Sequence, residues 1–167
     1  RDAREIEGKS VFAAGAVGPL GKLLYPIGKV REKEAFDAFR EQAEGLLEGG
    51  VDLFIVETQS DLREAEQAVL AIRSLTLLPI IAQMSFTEEG KTTTGFGPAE
   101  VAKFLSNLPV EVIGANCSVG PQGVLAVVSQ MARETKKYIS AQPNAGLPRL
   151  VSRRFVYSTP PKYFGEY

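Results

Sequence analysis

Two kinds of segment alternate along this chain, and their alternation restricts the possible folds more than any other feature. The first kind is short, apolar and rich in β-branched or aromatic residues: Val11–Ala16, Leu53–Val56, Ile80–Met84, Val112–Ala115 and Tyr138–Ala141. These runs show little polar alternation, which predicts strands buried on both faces. The second kind has helical spacing. Phe36, Phe39, Ala43, Leu46 and Leu47 form one apolar stripe, ended by Gly49-Gly50. Leu62, Ala65, Val69 and Ile72 form another. Its start, Ser60-Asp61 with Glu64 three residues after Asp61, predicts a capping box. Pro98 and Pro121 each sit at a first helical position, before Val101, Phe104 and Leu105 and before Val124, Leu125, Val128 and Met131.

Strand and helix therefore repeat about five times with no hairpin signal such as Asn-Gly, which predicts a parallel sheet. Two architectures satisfy that order: an open doubly wound sheet, or an arc of an eight-stranded barrel. A closed barrel needs about 250 residues, so roughly three strand–helix units would lie outside these residues. There is no internal repeat, low-complexity tract or Ser/Gly-rich linker, and residues 1–167 read as one domain or part of one. The stretch Pro143–Tyr167 has four prolines and reads as a long loop leading into a helix.

Composition excludes several functions. There is no histidine, which removes His triads, His general bases and His metal ligands from this chain. Cys117 is the only cysteine, so no internal disulfide forms, in keeping with a reducing, cytoplasmic location. Lys and Arg total 19 against 20 Asp and Glu, a net charge of -1, which gives no bulk attraction to nucleic acid or anionic lipid. The longest uncharged run, Val112–Ala132, is broken by Asn116, Gly120, Pro121, Gln122 and Gly123 and reads as strand, turn and helix rather than a membrane span. The charged start Arg1-Asp2-Ala3-Arg4-Glu5 is not a signal peptide, and the chain reads as an excised piece.

In parallel α/β folds chemistry collects at the carboxyl ends of the strands. Gly15 and Gly18 are expected there after the first strand, Glu57, Thr58, Ser60 and Asp61 after the second, and Ser85 and Thr87 after the third. Asn116, Cys117 and Ser118 follow the fourth, and Gln142, Asn144 and Gly146 the fifth. Glu57 closes the apolar run Leu53–Val56 and is a partly desolvated carboxylate unless it meets a cation or donors. It either binds a substrate ammonium or pairs with a local Arg such as Arg63. Cys117 is either a small buried hydrophobe or a ligand lacking its companions.

The run Gly15–Lys22 imitates a phosphate loop but fails its pattern: Ala16 stands where the first glycine belongs, and Leu23 where Ser or Thr should follow Lys22. It reads as a tight loop after a strand. Thr92, Thr93 and Thr94, with Gly90, Gly95 and Gly97, form a polar loop, read as ordinary solvated loop or a lid over the strand ends. Arg149, Arg153 and Arg154 are too few for a nucleic-acid patch.

Gly114-Ala115-Asn116-Cys117-Ser118-Val119-Gly120-Pro121 resembles the strand-six signature of the homocysteine S-methyltransferases, zinc-dependent (β/α)8 TIM barrels. Val56–Asp61 resembles the strand-four segment of that family, and Gln142–Pro148 its strand-seven segment. Gly15–Pro26 is similar to the strand-three loop, and Ser158–Phe164 to the approach to the last helix. Five motifs in order span nearly the whole chain. The resemblance implies strands three to seven of eight, with Cys117 as the first zinc thiolate and Glu57 binding the amino group of homocysteine. Asn116 and Asn144 would be polar substrate-side residues at the barrel mouth. The remaining zinc ligands, a Cys-Cys pair after the eighth strand, are expected beyond Tyr167.

The implied reaction is transfer of a methyl group to the thiol of homocysteine, giving methionine. Methylcobalamin, a methylated sulfonium or a betaine could each be the donor. The family occurs alone, as a module of cobalamin-dependent methionine synthase, or fused to methylenetetrahydrofolate reductase, so cobalamin, folate or reductase domains of the same polypeptide are expected partners. A non-catalytic truncated barrel acting as scaffold is the alternative. A metal-free barrel aldolase or isomerase would want a lysine or paired acids at a strand end, whereas Lys91 lies in a loop.

Overall fold

The computed structural model describes residues 11–146, 149–157 and 160–167. The charged start Arg1–Glu5, Leu147-Pro148 of the strand-seven-like segment and Ser158-Thr159 before the last helix lie outside the described residues. Five strands, β1 (Ala14–Val17), β2 (Leu53–Gln59), β3 (Ile80–Met84), β4 (Val112–Asn116) and β5 (Tyr138–Gln142), form one sheet in chain order. Every neighbouring pair is parallel: Ala14 lies opposite Leu53, Phe54 opposite Ile80, Ile81 opposite Val112 and Val112 opposite Tyr138. The crossovers carry helices α1 (Glu32–Glu48), α2 (Leu62–Arg73), α3 (Pro98–Ser106) and α4 (Pro121–Met131), as the apolar stripes and the two first-turn prolines predict.

β1 begins at Ala14 rather than Val11, because its partner strand begins only at Leu53. Gly15 therefore lies inside β1 rather than after it, and a Cβ there would come within 3.2 Å of Leu46 and Val51. β2 runs three residues past the expected end at Val56, through a register shift between Val56 and Gln59. The predicted capping box forms only in part. Asp61 caps α2 by accepting the Arg63 N–H at 2.9 Å, but the Glu64 carboxylate turns away to accept the Leu20 N–H at 2.6 Å.

The core lies between the sheet and its helices. Phe54, Val56, Ile80, Ala82 and Ile113 on the strands pack with Phe39, Ala43, Val69, Ile72, Leu105 and Met131 on the helices. The opposite face is less covered, contrary to the expectation of burial on both sides. Ala14 and Ala16 of β1 are exposed, and so is Tyr138 of β5, because no described residue packs over that face at either end of the sheet. A parallel sheet with helices on one face and the other left open is an arc of a barrel wall.

At the amino ends of the strands the contacts are structural. Arg73 donates to Leu78 O and Pro109 O and pairs with Glu111, whose carboxylate accepts the Ile80 N–H at 2.7 Å. The C-terminal stretch departs from the expected uninterrupted loop. Strands β6 (Arg149–Val151) and β7 (Arg154–Val156) pair antiparallel before the short helix α5 (Pro161–Glu166). Their turn places Ser152 and Arg153 at φ 49° and 63°, so a two-residue hairpin forms without the Asn-Gly that usually signals one.

Gly114 is the tightest point of the sheet, since an added Cβ would stand 1.9 Å from the Ser140 carbonyl oxygen of β5. Gly114→Ala is expected to force β4 and β5 apart and lower stability by about 1–3 kcal/mol. The readout is the urea midpoint of the complete polypeptide; an unchanged midpoint would contradict the close approach.

Candidate active site

The register shift in β2 builds the site. It leaves Thr58 with φ 55°, a left-handed conformation that is costly for a β-branched residue. In return the Thr58 N–H points across the end of β3 and donates to Asn116 Oδ1 at 2.8 Å. Asn116 ends β4, is only 3% exposed, and sends its amide nitrogen the other way. Asn116 Nδ2 lies 2.9 Å from Glu57 Oε2, 2.8 Å from Thr58 Oγ1 and 3.3 Å from Cys117 Sγ. The Thr58 hydroxyl donates to Glu57 Oε2 at 2.6 Å and stands 3.5 Å from Cys117 Sγ. One amide and one hydroxyl thus hold a carboxylate and a thiol side by side.

Cys117 and Ser118 also lie in the left-handed region, at φ 57° and 58°, and reverse the chain directly after β4. The Cys117 N–H donates to Gln142 O at 3.0 Å, the Val119 N–H to Cys117 O at 2.6 Å and the Asn144 N–H to Val119 O at 3.2 Å. The loops after β4 and β5 are therefore laced together by backbone bonds. Cys117 is half-buried, with Asn116 Nδ2 at 3.3 Å and Thr58 Oγ1 at 3.5 Å from its sulfur.

The distances remove one of the sequence alternatives. Arg63 pairs with Asp61 at 3.1 Å and donates to Tyr25 O at 2.9 Å, so it is not the partner of Glu57. Glu57, Asn116 and Cys117 come together in one network. Asn144 stands on the adjoining loop, joined to it through its backbone rather than through its side chain. Thr58, which the sequence placed at this strand end, was given no role there. Its signal was its place, directly after a carboxylate that closes an apolar strand.

The surroundings are polar but ordered. Gln83 donates to Ser140 Oγ at 2.8 Å, while Gln83 Oε1 and both side-chain polar atoms of Gln59 are buried without a protein partner. Burial pushes the Glu64 carboxyl above the usual carboxylate range; the Leu20 N–H opposes that shift and the charge of Asp61 adds to it. The threonine loop is folded rather than loose: Thr94 donates to Ser60 O at 3.0 Å, and Thr92 is 3% exposed. The Gly15–Lys22 run makes the expected turn, with Gly21 at φ 70°. An open cavity of about 370 Å³ lies past the cysteine loop, lined by Gly120, Gln122, Gly146 and Tyr163 among others.

Zinc is the metal the resemblance implies, and the residues fit one corner of such a site. Cys117 offers a soft donor in the same network as the carboxylate of Glu57. Among the described residues no three His, Cys, Asp or Glu side chains gather as a metal site. Among those same residues no helix is long and apolar enough to cross a membrane.

Comparisons with known proteins bear on the family and the fold. The family model described as homocysteine S-methyltransferase matches residues 1–167. Methionine synthase of Mycobacterium tuberculosis is 30% identical over 160 residues, covering 93% of this chain and 13% of that protein. The apo form of the homocysteine methyltransferase MmuM from Escherichia coli superposes with a TM-score of 0.70 at 21% identity, over 85% of this chain and 52% of that one. Its metallated form gives 0.66 over 86% and 52%. The chain thus spans only part of each relative, about half of the solved barrel and a far smaller share of the synthase. The fold is that of an incompletely closed TIM-barrel wall, and the chain belongs to the homocysteine S-methyltransferase family.

Proposed function

We propose that this chain carries the homocysteine-binding wall of a zinc-dependent methyltransferase site and that residues 1–167 are part of one barrel domain. The observation behind this reading is the single network in which Asn116 Nδ2 reaches Glu57 Oε2 at 2.9 Å and Cys117 Sγ at 3.3 Å. An amino-acid thiol has an ammonium at one end and a sulfur at the other, and the network presents a carboxylate for one and a metal-ligating thiol for the other. Cys117 would hold zinc together with ligands from outside these residues, because the chain has no second cysteine and no histidine. When bound, the metal supplies a Lewis acid at which a thiol is deprotonated near neutral pH.

The remaining work falls to the protein's own groups. Glu57 receives the substrate ammonium, and Asn116 fixes the direction of that carboxylate. Asn144, whose backbone N–H donates to Val119 O, would be a substrate-side residue of the same mouth. The substrate sulfur would attack the methyl carbon in line with its bond to the donor; that bond breaks as the S–C bond forms and its electron pair stays with the donor, so orientation is the main contribution of the protein. The described residues do not select among methyl donors. The match to 13% of the length of methionine synthase supports further domains in the same polypeptide; cobalamin or folate as their cofactors and a cytoplasmic setting belong to the same proposal. A scaffold would have no use for the left-handed Thr58, Cys117 and Ser118; such strain concentrates where geometry serves a ligand.

Glu57→Gln in the complete polypeptide is expected to weaken homocysteine binding by about 1.5–3 kcal/mol, roughly ten- to a hundred-fold, through loss of a charge-assisted contact. Calorimetric titration measures this, and unchanged affinity would remove Glu57 from the role. Cys117→Ser is expected to abolish retention of stoichiometric zinc after dialysis while the protein stays folded. Metal analysis beside a melting curve decides it, and one retained zinc per chain in the variant would refute the assignment.

A further inference from the structure

We infer that Thr58 is a positioning residue for substrate binding, whose hydroxyl aligns the Glu57 carboxylate and the Asn116 amide beside Cys117. The inference rests on the proposed homocysteine site and adds a residue to it. Thr58 Oγ1 is the atom common to the network: it lies 2.6 Å from Glu57 Oε2, 2.8 Å from Asn116 Nδ2 and 3.5 Å from Cys117 Sγ. A hydroxyl has one proton to give and two lone pairs to receive. Here the proton goes to Glu57 and a lone pair receives Asn116, so the two side chains are fixed relative to each other through one oxygen.

The Asn116 amide supplies two protons to three acceptors, Glu57, Thr58 and Cys117. The bonds from Thr58 and Asn116 both fall on Glu57 Oε2, which leaves the other carboxylate oxygen to receive a substrate ammonium while the alignment is kept. The backbone is committed to this arrangement, since φ 55° is kept although threonine disfavours it, and the Thr58 N–H is used on Asn116 Oδ1 at 2.8 Å.

Thr58→Val tests the hydroxyl alone. Valine has the same shape and is equally β-branched, so the cost of the left-handed backbone is unchanged. Thr58→Ser keeps the hydroxyl and loses only the methyl. In the complete, zinc-loaded polypeptide the dissociation constant for homocysteine is expected to rise about ten-fold in Thr58→Val and to stay within about two-fold of wild type in Thr58→Ser. KM should follow the dissociation constant while kcat changes little, and zinc content after dialysis should match wild type. Where Thr58→Val does not fold, Thr58→Ala is read in its place, with the same rise expected.

Equal loss of affinity in the Val and Ser variants, with matching drops in melting temperature, would show a packing role and overturn the inference. Unchanged affinity in Thr58→Val beside weakened binding in Glu57→Gln would overturn it while leaving the site intact. Unchanged affinity in both would overturn the homocysteine site itself.

Discussion

Five strands bonded in parallel leave all their carboxyl ends on one edge, and the rest of this structure follows from that ladder. A parallel neighbour can be reached only by a crossover, so each strand is followed by an element that packs back on the same face. Helices α1 to α4 fill those crossovers and supply half of the core. The loops are thereby forced to the two edges. Arg73, Glu111 and the carbonyls of Leu78 and Pro109 close the edge where strands begin. Glu57, Thr58, Asn116 and Cys117 collect where they end.

The ladder also explains how a carboxylate on β2 meets an amide on β4 with β3 between them. The register shift between Val56 and Gln59 lifts Glu57 and Thr58 over the end of β3. Asn116, the last residue of β4, is the near acceptor for the freed Thr58 N–H. Left-handed backbone at Thr58, Cys117 and Ser118 costs of order 1–3 kcal/mol at each position. Hydrogen bonds from an almost fully buried asparagine offset part of that cost. The result is a rigid support for the two groups, which suits a reaction whose barrier depends on alignment.

The open face of the sheet has its own consequence. Lumen-facing positions at both ends, Ala16 on β1 and Tyr138 on β5, lack cover among the described residues. Bare edges of a parallel sheet carry unpaired backbone groups and favour association. The relatives match this chain over only part of their length, and about half of the solved barrel lies outside the match.

The sequence by itself determined the strand–helix order, the helix starts at Pro98 and Pro121, and the place of Glu57, Asn116 and Cys117 at strand ends. Apolar periodicity and first-turn proline act over a few residues and are legible without a partner. Its motif resemblance also named the family. The sequence left open whether Glu57 met Arg63 or a ligand, did not bring Asn116 to it, and set Glu64 in a capping box that forms only in part. Thr58 gained meaning only from a residue 58 positions further along, and the hairpin at Ser152-Arg153 formed without a turn signature. Left-handed backbone at Thr58 or Cys117 runs against local preference, so no local reading can find it. Only the tertiary structure decided those points, because the hydrogen bonds that offset the strain come from strands that meet only when the sheet is assembled.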